Sequence, residues 1–171
     1  IQFSGAEGID LICEEGKRTG ISAPFKGNID IAELEKTIKK IGPGNIPLVM
    51  ITVTNNSGGG QPVSIQNIRE TKKICLKYGV SLFIDACRFA ENAYFIKQRE
   101  AGYQNKPIKA IVYELFSFAD GCTMSAKKDA FANIGGFISL RSMSLAEQCR
   151  NLLVITEGFP TYGGLAGRDL E

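Results

Sequence analysis

Short apolar segments that alternate with amphipathic stretches constrain the fold of this chain most strongly. Residues 46–54 are almost all apolar or β-branched, which is typical of a strand buried on both faces of a parallel sheet. Two shorter segments of the same kind occupy residues 80–84 and 119–124. Strands that are separated by helices favour an α/β fold with a largely parallel sheet.

The intervening helices are marked by apolar periodicity and by residues suited to helix ends. Apolar side chains recur every three or four residues over 30–41, which predicts an amphipathic helix that Asp30 caps, with Glu33 at capping-box spacing, and that Gly42 ends. A second helix is predicted from Ser64, a good N-cap residue, to Tyr78, with Gly79 as its C-terminal glycine. Further helices are predicted at 90–101, 107–117 and 144–153.

The extent of the chain predicts one domain that belongs to a larger polypeptide. Its 171 residues contain no internal repeat, low-complexity tract or linker, so residues 1–171 are interpreted as a single unit. The sequence starts with Ile-Gln-Phe-Ser-Gly and ends with Gly-Arg-Asp-Leu-Glu, without an initiator methionine or a closing element. We therefore expect a fragment.

Composition excludes several kinds of site. The chain has no histidine, which rules out histidine-based triads and most transition-metal centres. Its five cysteines form no Cys-x-x-Cys pair, which argues against disulfides or zinc and favours a cytoplasmic location. A net charge of +2 with scattered basic residues predicts no nucleic-acid partner, and no apolar segment is long enough for a membrane span.

Candidate functional residues follow the predicted strands. Asn56, Asp85 and the loop 125–128 fall at carboxyl ends of strands, where α/β sheets bind ligands. Asp85 is costly to bury without a partner, so it serves a ligand, caps the next helix or pairs with Arg88. Cys87 has no histidine base and is predicted to be a small buried residue rather than a nucleophile.

The lysine pair in this loop has two interpretations. Adjacent lysines are usually solvated surface, but a neighbouring positive charge also favours the neutral amine that a lysine nucleophile needs. Lys127 and Lys128, with a carboxylate at Asp85 and a hydroxyl at Ser125, are the parts that a pyridoxal-phosphate site requires. On this pattern alone, both interpretations stay open.

Four long strings of residues are distinctive. They are Asn-Asn-Ser-Gly-Gly-Gly-Gln-Pro-Val-Ser at 55–64, Asp-Ala-Cys-Arg-Phe-Ala-Glu-Asn-Ala-Tyr-Phe-Ile at 85–96, Met-Ser-Ala-Lys-Lys-Asp at 124–129 and Glu-Gly-Phe-Pro-Thr-Tyr-Gly-Gly at 157–164. Together they resemble the β-eliminating lyases, the family of the tryptophanases and tyrosine phenol-lyases, from about Phe25 to the end of the chain. The resemblance implies the large domain of an aspartate-aminotransferase-like enzyme, pyridoxal-phosphate fold type I, and a homotetramer for the full-length protein.

The resemblance also implies a role for each candidate residue. Lys128 is the lysine that holds pyridoxal phosphate covalently, Lys127 is the neighbour that tunes it, and Asp85 is the partner of the pyridine nitrogen. By the same resemblance, Arg88 and Asn56 contact the phenolate oxygen and the substrate side of the ring, and Ser125 binds the phosphate. The main-chain carbonyl of Asn133 is implied to bind an activating potassium ion.

The implied reaction is α,β-elimination of an aromatic amino acid, which yields pyruvate, ammonia and either indole or phenol. Residues 89–100, 125–130 and 158–162 look more like tryptophanase, whereas 133–137 and 164–169 lean towards tyrosine phenol-lyase. Tryptophanase is the favoured interpretation. The alternatives are a fold-related aminotransferase or decarboxylase, and a non-catalytic α/β fragment.

The resemblance also indicates what this chain lacks. By this resemblance, we expect the N-terminal segment that encloses the phosphate and the C-terminal small domain to be missing, and the first two dozen residues to match poorly. We therefore expect the isolated chain to be inactive even if the full-length protein is an enzyme.

Overall fold

Helices and strands alternate along residues 4–156, the part of the chain that the computed structural model describes. The helices are α1 (Ile31–Ile41), α2 (Ile65–Tyr78), α3 (Phe89–Arg99), α4 (Ile108–Ser117) and α5 (Met143–Thr156). The strands are β1 (Leu48–Thr52), β2 (Ser81–Asp85), β3 (Gly121–Ser125) and β4 (Gly136–Leu140). No helix in this part of the chain combines the length and the apolar character that crossing a membrane requires.

The strands form one mostly parallel sheet in the order β1-β2-β3-β4. β1, β2 and β3 run parallel, and β4 pairs with β3 in the antiparallel direction. In the register of the parallel strands, Asp85 lies between Thr52 of β1 and Thr123 of β3. This arrangement confirms the predicted α/β fold and places the carboxyl ends of three neighbouring strands side by side.

The ends of the first two helices confirm the predicted capping residues. The Asp30 carboxylate accepts a hydrogen bond from the Glu33 amide at 2.9 Å, and Ser64 Oγ accepts one from the Asn67 amide at 3.1 Å. Gly79 ends α2 at a φ of 68°, the left-handed conformation that glycine adopts without a steric penalty. The other predicted helices are also present, with their ends shifted by a few residues.

β1 differs from its prediction. Residues 46–54 are predicted to be buried on both faces, but Leu48 and Met50 are 38% and 42% exposed while Val49 and Ile51 are buried. β1 is one of the two edge strands of the described sheet, and one of its faces is only partly covered by residues 4–156. An apolar segment indicates the hydrophobicity of both faces, but it does not reveal which elements cover them.

The core lies between the sheet and the helices α1–α4. Its largest fully buried side chains include Ile38, Ile68, Leu82, Ile84, Ile96, Ile111 and Leu115. Burying an aliphatic side chain of this size stabilises a fold by about 1.5–3 kcal/mol. Asn92 of α3 is also fully buried, and its amide group binds both the N–H and the C=O of Val63, at 2.8 and 3.0 Å. This pairing attaches α3 to the segment that precedes α2.

Asp120 joins α2 to the sheet at the amino end of β3. Its carboxylate binds the Lys72 ammonium at 2.6 Å and accepts a hydrogen bond from the Leu82 amide at 2.8 Å. Burial raises the pKa of Asp120, but these hydrogen bonds outweigh burial and hold the pKa below its usual value. Folding therefore favours the ionised carboxylate.

Replacing Asp120 with asparagine is expected to lower the free energy of unfolding most above about pH 4, near the usual pKa of aspartate. Because the folded state lowers this pKa, the stabilisation is present above the unfolded-state value and is lost as the pH falls through the folded-state value. Urea unfolding of the wild type and Asp120→Asn across this pH range measures the difference. A difference that does not shrink on acidification would contradict this assignment.

Candidate functional site

Polar residues gather at the carboxyl edge of the parallel strands. β2 ends at Asp85 and β3 ends at Ser125, while Asn56 lies in the turn that follows β1. The Asp85 carbonyl accepts a hydrogen bond from the Val53 amide at 3.2 Å, which holds the exit of β1 against the end of β2. The structure therefore places the predicted candidates Asn56, Asp85 and Ser125 at one edge of the sheet.

Asp85 is half-buried and has few protein partners. Its carboxylate accepts one long hydrogen bond, 3.5 Å, from the Cys87 amide. Among the described residues it makes no ion pair, so the alternative of a structural Asp85–Arg88 pair is not observed. It does not cap α3 either, because the Asp129 carboxylate binds the first turn of that helix. The Asp85 carboxylate is available for a ligand.

Thr54, which follows β1, forms two hydrogen bonds with Arg88. The Thr54 hydroxyl donates to the Arg88 carbonyl at 2.8 Å, and Arg88 Nη1 donates to the Thr54 carbonyl at 3.4 Å. Thr54 is buried and adopts a φ of 51°, a conformation that costs a β-branched residue on the order of 1–3 kcal/mol. Thr54 is not among the predicted site residues, since no local pattern signals a left-handed threonine.

Asn56 lies in a tight glycine-rich turn. The Asn55 side chain accepts a hydrogen bond from the Ser57 amide at 3.0 Å, and the Asn55 carbonyl accepts one from the Gly60 amide at 2.8 Å. Gly59 and Gly60 have φ values of 76° and 70°, which explains the need for glycine. The turn leaves Asn56 exposed at the sheet edge.

The lysine loop, residues 126–132, is closed by its own backbone. The Ala132 amide donates to the Ala126 carbonyl at 3.0 Å, and the Phe131 amide donates to the Lys128 carbonyl at 2.9 Å. Lys128 is half-buried, whereas Lys127 is exposed. Neither lysine forms an ion pair with any residue of the described part of the chain. The loop therefore presents two ammonium groups of different accessibility, with Lys128 the more enclosed.

Cys87 lies between Asp85 and Arg88 in sequence and is buried. It is 5% exposed, as predicted for a small buried residue. Burial is the main reason that its pKa is raised; the Asp85 charge raises the pKa further, while the Lys128 and Arg88 charges lower it. The electrostatic environment of Cys87 therefore includes all three charged candidates.

The other candidates occupy the same region or fall outside the described residues. Ser125 is half-buried and is the last residue of β3, where it pairs with Gly136. Asn133 lies exposed in the connection from β3 to β4. The distinctive strings at 157–164 and 164–169 lie outside the described residues.

This set of groups can bind an anionic heteroaromatic carbonyl compound. Lys128 offers an amine for a carbonyl carbon, Asp85 offers a carboxylate for a protonated ring nitrogen, and Ser125 offers a hydroxyl for a phosphate. Arg88 and Asn56 supply further hydrogen-bond donors at the same edge. The chemistry of the donors therefore fits a pyridoxal-phosphate type of cofactor.

Two curated relatives show how far the similarity extends. The chain is 57% identical to the tryptophanase of Hyphomonas neptunium over 171 residues, which is all of this chain and 37% of that protein. It is 48% identical to the tyrosine phenol-lyase of Symbiobacterium thermophilum over 170 residues, 99% of this chain and 37% of that protein. The chain thus spans little more than a third of the length of these relatives.

A solved structure shows the fold that the chain shares. Cystalysin from Treponema denticola, whose crystal structure contains pyridoxal 5′-phosphate, superimposes with a TM-score of 0.52 over 81% of this chain and 32% of that chain. The two sequences are 18% identical, so this likeness concerns the fold alone. It confirms the predicted fold type I, an α/β domain with a mostly parallel sheet.

The similarity also corrects one expectation. The resemblance is predicted to begin at about Phe25, but the match to the tryptophanase covers the whole chain. The family model described as β-eliminating lyase matches residues 1–166. The chain therefore belongs to the β-eliminating lyase family.

Proposed function

We propose that the chain is the central part of the pyridoxal-phosphate-binding domain of a carbon–carbon lyase that acts on an aromatic amino acid. One observation carries this proposal: Asp85 ends β2, Lys128 lies in the loop that follows the neighbouring parallel strand β3, and neither is ion-paired within residues 4–156. The Asp129 amide, next to Lys128, binds the Cys87 carbonyl, which brings this loop to the end of β2. Charged groups without an ion-pair partner in such a position are typical of a ligand site.

Each residue at this edge has a proposed part in holding the cofactor. Lys128 would form the covalent bond, Asp85 would keep the ring nitrogen protonated and Ser125 would bind the phosphate. Arg88 and Asn56 would contact the phenolate oxygen and the substrate side of the ring. Pyridoxal phosphate, when bound, supplies an electron sink for the substrate α-carbon.

The chain's own groups then carry out proton transfer and orientation. Lys128 Nζ would take up the substrate α-proton, and its half-buried position limits access of water. Thr54 holds the backbone and guanidinium of Arg88, so this side chain is oriented before substrate arrives. Lys127, which is exposed, adds positive charge next to Lys128.

Tryptophan is the proposed substrate, with indole, pyruvate and ammonia as products. Support comes from residues 89–100 and 125–130, which resemble tryptophanase, and from the higher identity to a tryptophanase than to a tyrosine phenol-lyase, 57% against 48%. The second candidate is tyrosine, with phenol as the aromatic product, because residues 133–137 resemble the other enzyme. Membership of the family counts against an aminotransferase or a decarboxylase.

Offering both amino acids to the full-length protein separates the two substrates. With pyridoxal phosphate present, kcat/KM for indole release from tryptophan is expected to exceed kcat/KM for phenol release from tyrosine by at least about tenfold. One mismatched polar group at a substrate site changes kcat/KM by this order or more. Indole and phenol are quantified in parallel, with pyruvate as the shared product. Faster phenol release would assign the tyrosine reaction, and pyruvate from neither would leave a non-catalytic chain.

Three further expectations stay predictions from the resemblance. They are a potassium ion bound by the Asn133 main-chain carbonyl, a homotetramer for the full-length protein and a cytoplasmic location.

A further inference from the structure

Asp129, the residue after Lys128, binds a distant helix rather than its own loop. One carboxylate oxygen accepts hydrogen bonds from the backbone amides of Ala90 at 2.7 Å and Glu91 at 3.3 Å. The Asp129 amide donates to the Cys87 carbonyl at 3.2 Å. All three contacts reach the short segment that joins Asp85 to the first turn of α3.

The first turn of α3 depends on this carboxylate. The residue that precedes the helix, Arg88, makes no capping hydrogen bond with its side chain. The N–H groups of a first helical turn have no partner within the helix, and an acidic side chain satisfies both their hydrogen bonds and the positive end of the helix dipole. Asp129, in the lysine loop, therefore provides the N-terminal cap that the residues next to α3 do not provide.

The same contacts determine where the lysine loop lies. The backbone bonds between Ala126 and Ala132, and between Lys128 and Phe131, close the loop on itself but do not attach it to β2 or α3. The Asp129 bonds attach it. Since Asp129 is covalently next to Lys128, and Cys87 follows Asp85 by two residues, these bonds set the separation of the proposed lysine and carboxylate.

A covalent bond at one end of a rigid ring and a carboxylate at the other require a fixed separation between the two protein groups. We propose that Asp129 is a positioning residue, which holds Lys128 in register with Asp85 by binding the first turn of α3. This inference rests on the proposed function, because it concerns attachment of pyridoxal phosphate.

Glu100 offers a matched control for a helix-capping carboxylate. Its two carboxylate oxygens accept hydrogen bonds from the amides of Ile65 and Gln66, both at 2.8 Å, at the first turn of α2. Glu100 follows the last residue of α3, so it lies about 16 Å from the end that Asp129 binds. Replacing Glu100 removes a helix-capping carboxylate but leaves the contacts that attach the lysine loop to α3.

The test titrates pyridoxal phosphate into cofactor-free full-length wild type, Asp129→Ala, Asp129→Asn and Glu100→Ala. In Asp129→Ala the dissociation constant is expected to rise about tenfold, the effect of one lost capping interaction, and a smaller fraction of the bound cofactor is expected to show the visible band of the lysine-bound form. Asp129→Asn keeps one acceptor oxygen and is expected to recover most of both. Glu100→Ala is expected to match the wild type in both.

Amide hydrogen exchange of the cofactor-free proteins gives a second readout. Ala90 and Glu91 are expected to exchange faster in Asp129→Ala, and Ile65 and Gln66 in Glu100→Ala. Wild-type cofactor binding in Asp129→Ala would overturn the inference and leave the proposed function intact, as would an equal loss in Glu100→Ala. A wild type that never shows the visible band would overturn both.

Discussion

Replacing Lys128 with alanine is expected to abolish the visible absorbance of the full-length protein loaded with pyridoxal phosphate. In the proposed site, the covalent bond that shifts the cofactor into the visible range needs the Lys128 amine, which is half-buried and free of ion pairs within residues 4–156. Release of the aromatic product is expected to fall about a thousandfold or more, because the same amine moves the α-proton. The absorbance spectrum and the indole assay measure these two effects.

Lys127→Ala is the matched control for this change. Lys127 has the same charge and lies one residue away, but it is exposed. Its removal is expected to leave the visible band in place and to lower the rate far less than Lys128→Ala does. Persistence of the band in Lys128→Ala, or its loss in Lys127→Ala alone, would show that the covalent lysine is misassigned.

Replacing Asp85 with asparagine is expected to lower kcat/KM about a hundred- to a thousandfold, the usual effect of removing one preorganised electrostatic group from an active site. A neutral amide does not hold the proton on the ring nitrogen, so charge developing at the substrate α-carbon loses its stabilisation. The visible band is expected to persist, since Lys128 is intact. Steady-state kinetics with tryptophan, together with the spectrum, separate this effect from loss of cofactor.

Asp120→Asn serves as the control for Asp85→Asn. Both aspartates adjoin strands of the same sheet, but Asp120 precedes β3 and lies at the opposite edge from Asp85. Its replacement is expected to reduce stability through the lost Lys72 contact while kcat/KM in the folded protein stays near that of the wild type. Equal kinetic losses in the two variants would remove the case for a specific role of Asp85.

Local sequence signals predicted most of the fold. Asp30, Ser64 and Gly79 act within one turn of the helix ends they mark, so their roles depend on nearby residues and are visible in the sequence. The order of strands and helices likewise predicted the parallel sheet. The prediction that both faces of β1 are buried was wrong, because the elements that cover the face of a strand can be distant from it in sequence.

The candidate ligand-binding residues could be predicted from the sequence, but the residues that position them could not. Asp85 is the last residue of β2 and Lys128 follows the end of β3 by three residues, where α/β sheets bind ligands. Asp129 binds residues 38 and 39 positions away, and Thr54 binds Arg88 from 34 positions away. Such contacts form only when the folded sheet brings the loops together, so no local sequence pattern predicts them.

Mapping the cofactor attachment site tests the central claim most directly. The full-length protein is loaded with pyridoxal phosphate, reduced with borohydride to make the bond permanent, digested and analysed by mass spectrometry. The proposed site predicts one phosphopyridoxyl group, located on Lys128 within Met-Ser-Ala-Lys-Lys-Asp. Modification at Lys127 or at another lysine, or no specific modification, would contradict it.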